Sequence, residues 1–567
     1  MHQRFRLLLV HAVRVTVVTS TILMWQPPPA RPESAASSAG AVAPSGLQAM
    51  VEQRRDPFMR WPKLDDVSAE LVSWYRTHGW RPLWFEAGLP SASAQALIRT
   101  LAGADDFGLD PADYDAGKLA ALIRLRRATT GAELEQADLA LSAAALRIVR
   151  TLCRGRVGSQ QAHVTPEIQS EPFDALATAD SLRGLTDLAP LMRTLQPPYE
   201  HYWRLVEAHR RYRRIALDST LVALPAFPLP LKPGEPYRGA AVLRRLLTAL
   251  DDVPDSARVP GKPDTLYDDD LVAAVRHFQR RQGYAVDGVI GPATAASLER
   301  PFERRLRQIE LSLERWRWLP HSLIRPPIVV NLPGFELAAF SSLTDTSTAI
   351  LRMDVQVGKA FKHETPVFAE ELKYLVFSPY WEVPTSIMRG EIRPKAQRDP
   401  KYLARNHYEL LEGYSGDARV LRSTAENIAR IGGAVRVRQT PGAWNSLGRV
   451  KFMLPNPYNI YLHDTPSQSN FAAAKRDFSH GCIRLSQPQA LAEFVLRDRP
   501  EWTPTRIAEA MRATKPQQVN LLKPIPVYIA YTTVVARRDG AVHFYDDVYG
   551  HDRTLETLLR VGYPYPR

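Results

Sequence analysis

The sequence predicts a multidomain α+β protein of 567 residues. Three observations carry that expectation. The length suggests about three or four domains. Between 61 and 235 apolar residues recur at helical spacing, with 139–152 the clearest stretch. From about 325 the period changes to two, and short apolar runs alternate with Gly, Pro and Asn, the pattern of a mostly antiparallel sheet. Hydrophobic content of 45% and charged content of 23% are those of an ordinary folded protein. The formal charge of +13 suits an anionic environment, whether nucleic acid, a membrane surface or an acidic wall polymer, but charge alone does not choose among them. No nucleic-acid motif is present and the basic residues are dispersed, so no nucleic-acid partner is expected.

Residues 1–43 read as a targeting segment. Arg4 and Arg6 precede Leu7-Leu8-Leu9-Val10, a second apolar run follows, and Ala39-Gly40-Ala41 and Ala41-Val42-Ala43 resemble cleavage sites. Arg14 interrupts the apolar stretch, so a signal peptide and a membrane anchor both remain open. Residues 44–60 read as a linker, and 61–235 as a helical domain. Cys153 ends the helical stretch Leu146-Arg147-Ile148-Val149-Arg150-Thr151-Leu152 and is expected to be a packing residue.

Residues 236–300 form a separate unit. An amphipathic helix runs from Leu271 to Gln282 and stops at Gly283, a Gly-rich turn carries Asp287, Gly288 and Gly291, and a second helix starts at Pro292. A connecting helix is expected over 301–324. Strands are expected at Pro327–Pro333 and Glu336–Phe340, forming a hairpin across Pro333-Gly334, then at 353–359, 374–378, 448–454, 459–463 and 526–534. Between Glu382-Val383-Pro384 and Gln439 the character shifts, with short helices expected at 387–398 and 424–431 in an insertion at about 383–438. This β domain is placed at 325–500, and 501–567 is expected to complete it and the helical domain.

The chemistry centres on Ser479-His480-Gly481-Cys482-Ile483-Arg484 and on His463, nineteen positions before the cysteine. A free thiol is only slightly ionised at neutral pH, and a neighbouring imidazolium can bring its pKa into the range of roughly 3.5–7.5. Cys with His is therefore the minimum equipment for thioester chemistry. Gly481 permits backbone geometry other residues resist. A nucleophilic Cys482 must stay free, so no disulfide to Cys153 is expected. The 14 histidines form no metal motif, and neither metal nor cofactor is expected.

The ordered set His463…Ser479-His480-Gly481-Cys482-x-Arg484 resembles the YkuD-type L,D-transpeptidase catalytic domain. Trp80-Arg81-Pro82-Leu83-Trp84 and Phe107-Gly108-Leu109-Asp110-Pro111 resemble the scaffold region of the large YcbB-type members. Phe278-Gln279 with Asp287, Gly288, Gly291 and Thr294 resembles the three-helix peptidoglycan-binding domain. The resemblance implies a mostly β catalytic domain with a capping insertion over the cleft. It implies peptidoglycan tetrapeptide stems as donor and acceptor, a Cys482 nucleophile with His463 as its base, and an imidazole oriented by the carbonyl or the side chain of Asp464. His480, the second candidate for the base, and Ser479 would shape the site, and backbone N–H groups at Gly481 and Cys482 would form the oxyanion hole. Arg484 either recognises a carboxylate or holds the loop in an ion pair. Tyr461, Trp381, Asn445 and Lys451 match positions around the cleft. Carbapenems are expected to acylate the thiol, and the periplasm of a Gram-negative-type cell is the implied location. A hydrolase that cuts wall peptides on the same fold, and a non-catalytic wall-binding scaffold, are the competing readings.

Overall fold

The computed structural model describes residues 46–565, apart from 125–130, 163–171, 222, 254–264, 324, 343–348, 400 and 414–417. The expected targeting segment at 1–43 lies outside the described residues. Helix α1 (Gly131–Arg154) is the axis of the helical region and buries Leu139, Leu146 and Val149. Fully burying such a side chain is worth about 1.5–3 kcal/mol. Asp138 on the same helix accepts from the Leu83 and Trp84 N–H groups and the Tyr75 hydroxyl, and burial pushes its carboxyl up to about 6. The Trp84 indole donates to Ser142 at 2.9 Å, so the Trp80–Trp84 motif is a clamp on α1, closed by a β1 (Phe85–Glu86) and β2 (Leu89–Pro90) hairpin. Cys153 departs from expectation. It is half-buried on the wall of a cleft, because it lies in the last turn, where α1 leaves the core. Neither cysteine is in a disulfide.

Helix α2 (Glu200–Ala216) leads to the small domain of α3 (Ala240–Ala249), α4 (Asp269–Gln282) and α5 (Pro292–Leu298). Asp268 caps α4 by accepting from the Leu271 N–H, and Gly283 ends it in the left-handed region at φ +72°. Helix α6 (Phe302–Trp316) then packs along α2. Its Leu313 explains the Phe107-Gly108 motif: a Cβ at Gly108 would lie 2.6 Å from Leu313 Cδ1.

The β region is a closed barrel. Its strands are β3 (Ile328–Asn331), β4 (Glu336–Phe340), β5 (Ala349–Gln356), β6 (Phe368–Phe377), β11 (Val450–Met453), β12 (Leu462–His463), β13 (Ile483–Leu485) and β14 (Gln517–Ala530). They close in the order β11-β12-β13-β5-β4-β3-β14-β6, and the expected β3–β4 hairpin is formed. Pairing is mostly antiparallel, with β12–β13 and β14–β3 parallel.

Three expected elements differ. The 459–463 strand shrinks to Leu462–His463, because the Asn456 side chain bonds both the N–H and the C=O of Ile460 and holds a turn in which Asn459 has φ +55°. The 526–534 strand starts earlier and ends at Ala530; the chain then turns, with the Thr532 N–H on Asn331 Oδ1, into a separate pair, β15 (Val534–Ala536) and β16 (Val542–Phe544). The capping insertion holds its helices but also a four-stranded sheet of β7 (Trp381–Glu382), β8 (Tyr408–Glu412), β9 (Val420–Leu421) and β10 (Val435–Gln439), in the order β7-β10-β8-β9. Within it, Met388–Ile392 is a π turn. Pro394 has no N–H to give to the Gly390 carbonyl, so the α ladder cannot continue there. A last helix, α7 (His551–Arg560), packs against α6.

Candidate active site

The parallel pairing of β12 with β13 sets His463 opposite Arg484 and Leu462 opposite Ile483, with the Ile483 N–H on the Tyr461 carbonyl at 3.1 Å. Cys482, just before β13, therefore comes beside Tyr461. On the other side of β12, Lys451 of β11 pairs in register with His463. Tyr461, Lys451 and Arg484 thus come around one thiol, with His463 on the strand that pairs with both β11 and β13.

The loop before Cys482 is held from several directions. Ser479 pairs with the chain after β5, its N–H on the Val357 carbonyl and its own carbonyl accepting from the Lys359 N–H, both at 2.9 Å. The Ser479 hydroxyl donates to the Cys482 carbonyl at 2.6 Å and accepts the Gly481 N–H at 3.1 Å. Gly481 has φ +115°, where glycine is favoured, and a Cβ there would meet Ile460 Cδ1 at 3.1 Å. Because Ser479 occupies the Gly481 N–H, the expected pair of oxyanion donors is reduced to the Cys482 N–H. Ser479 shapes the loop from inside it.

Thr365 and Tyr549 were not legible as site residues. The Thr365 hydroxyl donates to the Gly481 carbonyl at 2.7 Å and accepts the Gly358 N–H at 2.9 Å. The Tyr549 hydroxyl donates to the Gly358 carbonyl at 2.7 Å and accepts the Thr365 N–H at 3.3 Å. The one local signal was Gly358, where a Cβ would lie 1.9 Å from the His363 carbonyl.

His463 is buried, and its Nδ1–H donates to the Asp464 carbonyl, which leaves Nε2 as the basic nitrogen. The Asp464 carboxylate is occupied by the Arg449 and Thr465 N–H groups, so the carbonyl is the orienting group. Burial first, then the Arg484 charge, lowers the His463 pKa to about 3; the Asp464 carbonyl opposes this and the Lys451 charge adds to it. Burial raises the Cys482 thiol, opposed by the Tyr461 N–H and hydroxyl and by Arg484 and Lys451. An imidazolium that depresses the thiol pKa, as the sequence suggested, does not fit this site. Two cations already face the pocket, and a third is disfavoured there. The thiol itself donates weakly to the Asn459 carbonyl at 3.6 Å.

Arg484 makes no ion pair among the described residues. Its Nη1 donates to Gln356 at 3.3 Å, its Nε is buried without a partner, and burial lowers its pKa, opposed by the Cys482 charge. Lys451 is likewise lowered by burial, with its Nζ 5.9 Å from the centre of the Tyr461 ring. The Tyr461 ring lies 5.8 Å from that of His463. His480 is exposed and pairs through Nε2 with Glu391 of the cap at 3.0 Å. Trp381 packs on Tyr408 within the cap core. Asn445 does not face the cleft. It is fully buried, its amide donates to the Pro379, Gln439 and Thr440 carbonyls and its oxygen accepts the Leu447 N–H, so it fixes a turn.

In the small domain Phe278, Gln279 and Thr294 are buried. Gln279 donates to Asp287 at 2.9 Å and Val289 at 3.0 Å and accepts the Gly288 N–H at 2.9 Å. Gln279 thus holds the turn that follows α4, while Asp287 of the same motif is exposed. Among the described residues no group of three or more His, Cys, Asp or Glu is placed to hold a metal, and no helix is long and apolar enough to cross a membrane.

Residues 326–517 match the L,D-transpeptidase catalytic domain. Residues 69–208 match the scaffold domain and 241–298 the family described as "Putative peptidoglycan binding domain". A Haemophilus influenzae protein named "Putative L,D-transpeptidase" is 28% identical over 249 residues, 44% of this chain and 49% of the relative. The chain thus spans about half the length of the curated relative it matches. A crystal structure of an L,D-transpeptidase (residues 123-326) from Xylanimonas cellulosilytica matches at 14% identity, covering 54% of this chain and 100% of that one, with a TM-score of 0.16. The match to the L,D-transpeptidase domain stops at the first residue of β14, so the strand that closes the barrel and Tyr549, which braces the nucleophile loop, both lie beyond it.

Proposed function

We propose that this protein is an exported peptidoglycan L,D-transpeptidase that forms third-to-third cross-links through a thioester on Cys482. The observation that carries the reading is the thiol beside Tyr461, Lys451 and Arg484, with His463, its Nδ1–H held by the Asp464 carbonyl, on the neighbouring strand. His463 Nε2 takes the thiol proton as Sγ attacks the carbonyl before the terminal D-alanine of a tetrapeptide stem. Lys451, Arg484 and the Tyr461 hydroxyl stabilise the negative charge on sulfur, and the Cys482 N–H stabilises the one on the carbonyl oxygen. The imidazolium then protonates the departing amine of D-alanine, and a second stem's side-chain amine resolves the thioester. The cap favours the amine over water by covering the cleft. Export by the N-terminal segment, periplasmic location, membrane association through that segment and acylation of Cys482 by carbapenems belong to the same reading.

The test is mass spectrometry of disaccharide-tetrapeptide incubated with the protein, beside Cys482→Ala. Cross-linked dimers that lack one D-alanine and are absent with the variant are expected. Tripeptide alone identifies a hydrolase. A carbapenem mass shift that persists in Cys482→Ala rules out this nucleophile.

A further inference from the structure

If transfer to an amine is the reaction, as proposed above, the acceptor needs a base that meets it before it reaches the buried His463. An alkylamine enters as an ammonium at neutral pH and must lose a proton before it can attack. His463 is buried, its Nδ1 is occupied, and the two cations beside it disfavour a resting imidazolium.

A second imidazole stands at the mouth of the site. His480, two residues before Cys482, is 44% exposed, and its Nε2 lies 3.0 Å from Glu391 Oε1, itself 42% exposed. A carboxylate at that distance takes the Nε2–H and fixes the tautomer that leaves Nδ1 as acceptor. Nδ1 has no partner among the described residues. On its other side His480 is packed by His363, whose ring centre lies 4.7 Å away. Glu391 reaches the pair from the π turn of the cap, with Lys395 Nζ 3.6 Å from its other oxygen. The carboxylate thus comes from the cap and the imidazole from the nucleophile loop.

We infer that the Glu391–His480 pair is the general base for the incoming acceptor amine. His480 Nδ1 takes one proton from the acceptor ammonium, and the imidazolium formed is paired with Glu391. The neutral amine attacks the thioester carbonyl; the C–N bond forms, the C–S bond breaks, and the second amine proton goes to the Cys482 thiolate. The exposed His480 then returns its proton to water. The cap therefore supplies a reacting pair as well as a cover.

The test separates the two half-reactions. The acyl-enzyme is formed from tetrapeptide donor and trapped with one of two acceptors: a diamino-acid stem, whose amine arrives charged, or hydroxylamine, which is already neutral at pH 7. Wild type and Glu391→Gln are compared by rapid-quench mass spectrometry. The variant is expected to lose about a hundredfold in transfer to the stem, the low end of general base catalysis, and to recover with hydroxylamine. Equal transfer to the stem by both proteins, or an equal loss with both acceptors, overturns the inference. A wild-type protein that forms no acyl-enzyme overturns the proposed function instead.

Discussion

The Thr365 hydroxyl donates to the Gly481 carbonyl at 2.7 Å across 116 residues of sequence, and this bond holds the loop that carries Cys482. The same oxygen accepts from Gly358, so one side chain ties the end of β5 to the nucleophile loop. Thr365→Val leaves a buried carbonyl and a buried N–H unpaired, at about 1–3 kcal/mol each. Acylation by a carbapenem should slow tenfold or more, and Thr365→Ser should restore it. Stopped-flow acylation rates beside melting temperatures separate loop positioning from general loss of fold.

Alkylation of Cys482 by iodoacetamide should report a thiol, not a preformed ion pair. Burial raises the thiol pKa and lowers that of His463, so the rate should climb with pH into the alkaline range, with no plateau between pH 5 and 7. Lys451→Met removes one of the opposing cations and should shift the profile upward by about one unit. A plateau at mildly acidic pH would show that an imidazolium is present after all.

His463 should also shape the acid limb of stability. Its pKa is ordinarily 6.5 and falls to about 3 in the folded protein, so the folded state binds fewer protons between those values. Its contribution is fully present above pH 6.5 and is lost as pH falls through 3. Thermal melts at pH 3–8 should show a shallower acid limb for His463→Asn than for wild type.

Gln279→Leu tests whether the small domain's motif serves fold or ligand. The change deletes two strong donor contacts and leaves the buried Gly288 N–H unpaired. A loss of about 2–4 kcal/mol in urea unfolding is expected from such a buried network. Binding of the still-folded variant to purified wall sacculi should match wild type, because Gln279 is only 1% exposed.

The parts of this molecule that could be read from the sequence are those written locally. Asp268 and Gly283 mark both ends of α4, and the β3–β4 hairpin turns at Pro333-Gly334 as its run of residues suggests. The cluster of Cys482, His463, Tyr461 and Arg484 was legible because it rests on two neighbouring strands. The closed barrel was not, because closure depends on β14 pairing with β3 and β6, far away in sequence. The cap's sheet was hidden by strands of two to five residues, too short to show a period. Asn445 was placed by the cleft through the family resemblance, which gives no sign that three carbonyls surround its amide. Glu391 and Tyr549 carry no local pattern, since their meaning comes only from partners on other elements.

The bond from Tyr549 to Gly358 also sets an order of assembly. A chain that emerges N-terminus first has Cys482 and His463 outside long before β14 and Tyr549 follow. The nucleophile loop cannot take up its final bracing until Tyr549 is delivered. A product that stops between Cys482 and Tyr549 would carry the motif without that brace.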